Sequence, residues 1–92
     1  MSEQRQQVEI VNKRGLHARA SAKFVGAVSA ITSDTSVRIA KNDNETAGGS
    51  ILGLMMLGAA KGDMIDLIVS GENAENIFAD LKALIEDGFG EE

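Results

Sequence analysis

The stretch GLHARAS, residues 15–21, joins a strand-like segment to an amphipathic helix and contains the single histidine of the chain, His17. The strand-like segment spans residues 7–11, and a helical pattern runs over residues 18–30 with apolar side chains at helical spacing. His17 is therefore predicted at or just before a helix N-terminus. Unpaired backbone N–H groups and the positive end of the helix dipole favour an anion there.

The chemistry of two side chains in this stretch suits a phosphoryl group. A neutral imidazole, with an ordinary pKa of about 6.5, is a nucleophile near neutral pH. Arg19 presents a planar, permanently charged group that can hold phosphate oxygens. The pattern predicts a histidine that carries a phosphoryl group. It leaves open the ordinary alternative, in which His17 is a surface or capping residue without chemistry.

The segment around His17 is basic, whereas the chain as a whole is acidic. The protein has a formal net charge of -5, yet no acidic residue lies between Glu9 and Asp34. That interval contains four basic residues, namely Lys13, Arg14, Arg19 and Lys23. A basic island around the only histidine favours an anionic group or an acidic partner. The alternative is ordinary charge scatter on one solvated helix face.

Length and composition exclude several classes of protein. Ninety-two residues, 43% hydrophobic and 25% charged, predict one globular domain over residues 1–92. The net negative charge argues against binding to nucleic acid or to anionic membrane surfaces. The chain has no cysteine and one histidine. We therefore expect no disulfide framework, no metal site and no cofactor.

Targeting and membrane signals are absent from the sequence. The first seven residues are polar and lack the apolar core of a signal peptide. No apolar run approaches the roughly 20 residues of a transmembrane helix. We expect a cytoplasmic protein.

Periodicity along the chain predicts an α+β fold of order βαββαβα. Further strands are expected over residues 36–40, 45–47 and 64–70, the last with Ile65, Leu67 and Val69 facing inward. A final helix, capped by Asn73 and ending near residue 88, precedes a tail over residues 89–92. The expected architecture is an open-faced sandwich, a four-stranded, mostly antiparallel sheet with three helices on one face and water on the other.

A short apolar helix is predicted after Ser50, whose side chain can cap it. Residues 51–57, ILGLMML, are too apolar to bury only one stripe of a two-turn helix. Two interpretations remain open. Either some of these side chains form an adaptable binding surface, or all of them pack into a small core.

Three stretches resemble a known family when they are taken together in order. They are NKRGLHAR at residues 12–19, GSILGLMML at residues 49–57 and KGD at residues 61–63. The chain resembles HPr, the histidine-containing phosphocarrier of the bacterial phosphotransferase system. The Met-Met-Leu block and the C-terminal residues look closer to the nitrogen-related branch, NPr. The family fold is the same βαββαβα sandwich.

The resemblance implies roles for the residues at the first helix. His17 corresponds to the histidine that enzyme I phosphorylates on Nδ1, for transfer to enzyme IIA proteins. Ala18 and Arg19 correspond to the phosphate-binding positions. The protein would be a carrier that is itself a substrate, rather than a turnover enzyme, and we expect it to be a monomer. Ala20 stands where the family usually has proline, which leaves the start of the helix looser and adds one N–H donor.

The resemblance also implies roles at the second helix. Ser50 corresponds to the regulatory serine phosphorylated by HPr kinase in many bacteria. Ile51, Leu52 and Met55 correspond to the apolar patch that docks enzyme I and the enzyme IIA proteins. An alternative function is that of a regulatory binding module that acts through Ser50 and this patch. In that case His17 has no functional role. Sequence pattern alone also allows a small-ligand-binding α+β domain.

Overall fold

The protein, as a computed structural model that describes residues 2–91, is a four-stranded antiparallel sheet with helices packed on one face. This confirms the predicted α+β architecture and the order βαββαβα. The elements are β1 (Ser2–Glu9), α1 (Ala18–Ser29), β2 (Thr35–Lys41), β3 (Asn44–Ala47), α2 (Ile51–Met56), β4 (Met64–Gly71) and α3 (Ala74–Glu86), followed by a 3₁₀ turn over Gly88–Gly90.

The central position of β4 follows from its sequence. The strand order is β1-β4-β2-β3, and β4 pairs antiparallel with both β1 and β2. Its inward side chains Ile65, Leu67 and Val69 are fully buried, as predicted. A strand that is this apolar is most stable where neighbours cover it on both edges and helices cover its inner face.

The opposite face of the sheet is not left wholly to water, in contrast to our expectation. Ile68 points to that face and is 0% exposed. Its cross-strand neighbours are Arg5 and Arg38. These arginines pair with Asp66 and Glu45, each at 2.8 Å. Ile68 is thus flanked on both neighbouring strands by arginines that form ion pairs between strands.

The first strand starts earlier than its apolar pattern predicts. It spans Ser2–Glu9, whereas alternation indicated residues 7–11. The polar first half forms a strand because its backbone completes the hydrogen-bond ladder along the edge of β4, and this pairing does not depend on apolar side chains. Ile10 lies beyond the strand but is fully buried, and its N–H donates to the Asp63 carbonyl at 2.9 Å.

The helices bury the faces that periodicity indicated. The buried apolar side chains of α1 and α3 are those of Ala20, Phe24, Ala74, Phe78, Leu81 and Ile85. The apolar residues at the periphery are only partly buried, namely Val28, Ile31, Ile77 and Leu84. Burial decreases from the centre of the apolar face to its edges because a helix that packs against a sheet is fully covered only along its central stripe.

The predicted capping role of Asn73 is wrong. Asn73 occupies the N-cap position of α3, but its side chain makes no capping hydrogen bond. The reason is its backbone, which is left-handed with φ 54° and ψ 23°. A capping side chain needs an extended backbone to reach the first free N–H groups. Asparagine is used here because it tolerates the left-handed region.

The residues after α3 are not the free tail that the sequence suggested. Phe89 is 1% exposed and belongs to the hydrophobic core. Three consecutive residues, Gly88, Phe89 and Gly90, have positive φ and turn the chain back toward the start of α1. Glycine adopts this conformation without strain. For Phe89 the burial of an aromatic ring, about 2–3 kcal/mol, offsets the cost.

The fold has no element suited to crossing a membrane within residues 2–91, since none of its helices combines sufficient length with sufficient apolar character.

We expect Phe89→Ala to lower the free energy of unfolding by about 3 kcal/mol, because it leaves a cavity where an aromatic ring was buried. Alanine adopts the same strained backbone, so the loss reports on the ring alone. Urea denaturation measures the change. The control is Met56→Ala at a 77% exposed site, which should change stability by no more than about 0.5 kcal/mol. Equal stability of the two variants would contradict the packing of Phe89 in the core.

Candidate functional site

His17 is the N-cap residue of α1, as its position in the sequence predicted. Its backbone is extended, with φ -75° and ψ 179°, and its carbonyl accepts the Ser21 N–H at 2.9 Å. Its ring Nδ1 accepts the backbone N–H of Arg19 at 3.3 Å. The histidine therefore lies where the free N–H groups and the positive dipole of the helix are concentrated.

The segment that leads into His17 is held by the loop that precedes β4. The N–H of Leu16 donates to the Ala59 carbonyl at 3.0 Å. Gly15 allows this approach, because a Cβ there would lie 2.9 Å from the Ala60 Cα and would collide with the Ala59 carbonyl oxygen. Its φ of 63° is also readily adopted only by glycine. Gly15 thus fixes the direction in which the chain enters α1.

The loop is itself closed by a carboxylate. Asp63 accepts the Ala60 N–H at 2.9 Å and pairs with Lys41 at 3.0 Å. These contacts, the hydrogen bond from Ala60 first, hold the pKa of Asp63 below its usual range. The Asp63 carboxylate, which closes the loop that supports residues 15 and 16, is therefore ionised at neutral pH.

The other ring nitrogen of His17 contacts the C-terminal segment. Nε2 lies 2.5 Å from Oε2 of Glu91, and both side chains are largely covered, at 14% and 22% exposure. Oε1 of the same carboxylate accepts the side-chain amide of Asn12 at 3.0 Å. The Asn12 amide also donates to the Gly15 carbonyl at 2.8 Å. Asn12 thus links the turn before His17 to the carboxylate beside it.

The hydrogen bond from Asn12 is the main reason that the pKa of Glu91 lies below its usual range. The contact with His17 and the charge of Arg14 act in the same direction, against partial burial. The carboxylate is consequently ionised at neutral pH. Asn12 is 4% exposed, and its Oδ1 has no hydrogen-bond partner among the described residues.

A cleft of about 580 Å³ opens over His17 and is strongly basic. Its charged lining combines one carboxylate, Glu91, with four cations, namely Lys13, Arg14, Arg19 and Lys23. The basic island of the sequence is therefore gathered around one side chain in space. Such a cleft attracts an anion and stabilises it without enclosing it.

Of the two predicted phosphate-binding positions, Arg19 lines this cleft, whereas Ala18 is not among its lining residues. Ala18 and Arg19 are the first two residues of α1, and both are exposed. The side chain of Arg19 forms no ion pair with any of residues 2–91, so its guanidinium is available to an incoming anion. Ala20 is fully buried in the first turn. The helix starts regularly without the proline that the family usually has at this position.

Ser50 is the N-cap of α2, as predicted. Its Oγ accepts the Gly53 N–H at 2.9 Å. The apolar residues of α2 divide into two sets. Leu54 and the adjoining Leu57 are buried, whereas Ile51, Leu52, Met55 and Met56 are 40%, 67%, 42% and 77% exposed. We call these four exposed side chains the α2 patch. The structure therefore favours an exposed apolar surface over full packing in the core.

Two residues of the site escaped sequence reasoning. No sequence pattern singled out Asn12, and Glu91 was predicted to lie in a tail. Glu91 is 74 residues away from His17 in sequence, so no local pattern connects them. The only available signal was Phe89, an aromatic residue between glycines near the C-terminus, which indicates a segment that packs back onto the domain.

Fold and site together define a class: small α+β proteins with a histidine at a helix N-terminus in a basic cleft. The family model described as the PTS HPr component phosphorylation site matches residues 4–87. The phosphocarrier protein HPr of Neisseria meningitidis serogroup A is 47% identical over 87 residues, covering 95% of this chain and 96% of that protein. The phosphocarrier protein NPr of Shewanella violacea is 35% identical over 91 residues, covering 99% and 98%.

The solved structures agree with the sequence relatives. The crystal structure of HPr-C-His from Thermoanaerobacter tengcongensis superposes with a TM-score of 0.87 at 37% identity, covering 100% of this chain and 99% of that one. The chain belongs to the HPr family and is a phosphocarrier protein of the phosphotransferase system. Membership favours this function over the regulatory binding module that the sequence left as an alternative.

We expect Ser50→Ala to lower the free energy of unfolding by about 1 kcal/mol, because the first turn of α2 loses its capping hydrogen bond. Thermal or urea denaturation measures the loss. The matched control is Ser29→Ala at an exposed position of α1, which should leave stability nearly unchanged. If both substitutions lowered the free energy of unfolding equally, the capping role of Ser50 would be wrong.

Proposed function

We propose that His17 accepts the phosphoryl group on Nδ1, receiving it from enzyme I and passing it to an enzyme IIA protein. The observation that carries this proposal is the position of Nδ1, which faces the N-terminus of α1 and contacts the Arg19 N–H. The contact is long for a hydrogen bond, at 3.3 Å. Once the phosphoryl group is attached to Nδ1, the Arg19 N–H can therefore donate to an oxygen of that group instead of to the ring.

Arg19 and Ala18 bind the phosphoryl oxygens in this proposal. The guanidinium of Arg19 supplies a charge-assisted hydrogen bond, and the backbone N–H groups of the first helical turn supply the helix-dipole contribution. Each contribution of the dipole type is worth about 0.3–1 kcal/mol at an exposed site. Such moderate binding suits a carrier, because a group that is held too tightly would not be passed on.

The α2 patch is the surface that we assign to partner docking, through Ile51, Leu52 and Met55. Methionine and leucine side chains adapt to partners of different shape. Because α1 and α2 pack against each other, a protein that docks on the patch lies beside the helix that bears His17. The basic cleft favours an acidic partner surface. One docking surface can therefore serve both the donor and the acceptor of the phosphoryl group.

Ser50 is a candidate regulatory site for HPr kinase. Its hydroxyl is half-buried and bonded to the Gly53 N–H, so modification requires this cap to open. A phosphate would add close to two negative charges beside the α2 patch. Those charges would repel the acidic partner surface that the basic cleft attracts, and docking would weaken.

Three broader assignments belong to the same proposal. The protein acts in the cytoplasm, as a monomer, and in the nitrogen-related branch that its Met-Met-Leu block resembles. Light scattering on the purified protein measures the oligomeric state. Transfer assays with nitrogen-related and sugar-specific enzyme IIA proteins distinguish the two branches.

The central test is phosphoryl transfer from phosphoenolpyruvate through enzyme I, followed by intact mass. The wild type should gain one phosphate that is lost in mild acid, and His17→Ala should gain none. Arg19→Ala should transfer about 10- to 100-fold more slowly, because it lacks a hydrogen bond from a charged donor. The control Lys61→Ala removes a positive charge outside the cleft. A wild type that stays unmodified beside a competent enzyme I would overturn the proposal.

A second test addresses the α2 patch. Leu52→Glu places a charge on an apolar docking surface and should raise the KM for this protein in the enzyme I reaction about tenfold or more. Its stability should hardly change, because Leu52 is 67% exposed. The matched control is Met64→Glu, at an exposed apolar side chain on the sheet. Similar KM values for both variants would exclude the patch as the docking surface.

A further inference from the structure

The contacts of His17 determine which ring nitrogen carries the proton. An ionised carboxylate can only accept, so the short contact between Nε2 and Oε2 of Glu91 requires a proton on Nε2. A backbone N–H can only donate, so the contact between the Arg19 N–H and Nδ1 requires a lone pair on Nδ1. Both contacts select the same neutral tautomer, with Nδ1 as the nucleophile.

Glu91 is held in place by two independent anchors. The first is the Asn12 amide, which donates both to Oε1 of Glu91 and to the Gly15 carbonyl. Its orientation is fixed because both of these neighbours are acceptors. The second is Phe89, whose buried ring fixes the chain two residues before Glu91. The Glu91 N–H also donates to the Gly88 carbonyl at 3.0 Å.

The surroundings keep this carboxylate charged. Arg14, Lys13, Arg19 and Lys23 line the same cleft, and Glu91 is the one acidic side chain among the described residues that line it. The hydrogen bond between this carboxylate and the neutral ring is largely covered from solvent, so water competes with it less than with a hydrogen bond on the open surface. These are the features of a carboxylate that orients a histidine rather than one that only interacts with solvent.

We propose that Glu91 is a positioning residue for phosphoryl transfer, acting through the Nε2 proton of His17. The proposal rests on His17 being the phosphoryl acceptor. As the Nδ1 lone pair forms the bond to phosphorus, the bond between phosphorus and the donor atom breaks, and the donor atom keeps that electron pair. The ring becomes positively charged with its proton still on Nε2, facing the Glu91 carboxylate. When the phosphoryl group leaves, the bond between Nδ1 and phosphorus breaks, Nδ1 keeps the electron pair and the ring becomes neutral again.

The first measurement needs no phosphoryl donor. The ¹⁵N chemical shifts of the His17 ring, recorded at about pH 8.5 where an ordinary histidine is neutral, report the tautomer directly. The wild type should show a protonated Nε2 and an unprotonated Nδ1. In Glu91→Gln the amide both donates and accepts, and in Glu91→Ala no partner remains, so both variants should shift toward a mixture of tautomers. A merely structural role would leave the tautomer unchanged.

The second measurement is the rate of phosphorylation by enzyme I. Enzyme I should phosphorylate both Glu91 variants about tenfold or more slowly than the wild type. The KM, which reflects docking, should hardly change. The control Glu86→Gln removes one exposed carboxylate at the end of α3 and should leave tautomer and rate unchanged. The proposal is overturned if the wild-type ring is protonated on Nδ1, if both variants keep the Nε2–H tautomer, or if their rates equal that of the wild type.

The two hypotheses fail in different ways. If wild-type His17 takes up no phosphoryl group, the proposed function fails, and the transfer role of Glu91 fails with it, whatever the tautomer. If His17 is phosphorylated normally in the Glu91 variants, only the role of Glu91 fails.

Discussion

The pairing of β4 with both β1 and β2 is the constraint on which the rest of the structure depends. Because β1 runs antiparallel to β4, the end of β1 lies opposite the start of β4, with Glu9 facing Met64. The chain that leaves β1 therefore meets the loop that enters β4. That meeting produces the hydrogen bond between Leu16 and Ala59 and the close approach at Gly15. His17 follows two residues later, so the position of the site is a consequence of sheet register.

The site balances attraction for an anion against its release. In the proposed function, four cations and a helix N-terminus attract a phosphoryl group toward Nδ1. A single carboxylate, Glu91, lies on the opposite side of the ring, where the proposed transfer would create a positive charge. The cleft is open to solvent at Arg19, so the bound group remains accessible to a second protein. Moderate, directional interactions of this kind fit a carrier better than they fit a binding protein.

Local pattern was sufficient where one residue and its near neighbours decide the structure. The core side of β4, the capping positions of His17 and Ser50 and the helical stripes of α1 and α3 all follow from spacing and side-chain chemistry. Local pattern was insufficient where backbone geometry or distant contacts decide. The polar half of β1 is a strand because β4 offers it an edge, and Asn73 fails to cap because its backbone is left-handed. Ile68 is buried by charged neighbours that only sheet register brings together.

The sequence by itself determined the fold class and the family and predicted His17 as the nucleophile, because periodicity, the single histidine and the basic island are all encoded within short stretches. Only the tertiary structure decided what surrounds that nucleophile. Phe89 becomes a core residue because left-handed residues turn the chain back toward α1, and this brings Glu91 to Nε2 of His17. The tautomer of the histidine then depends on a contact between residues 74 positions apart. Such a contact is fixed by packing rather than by any local preference.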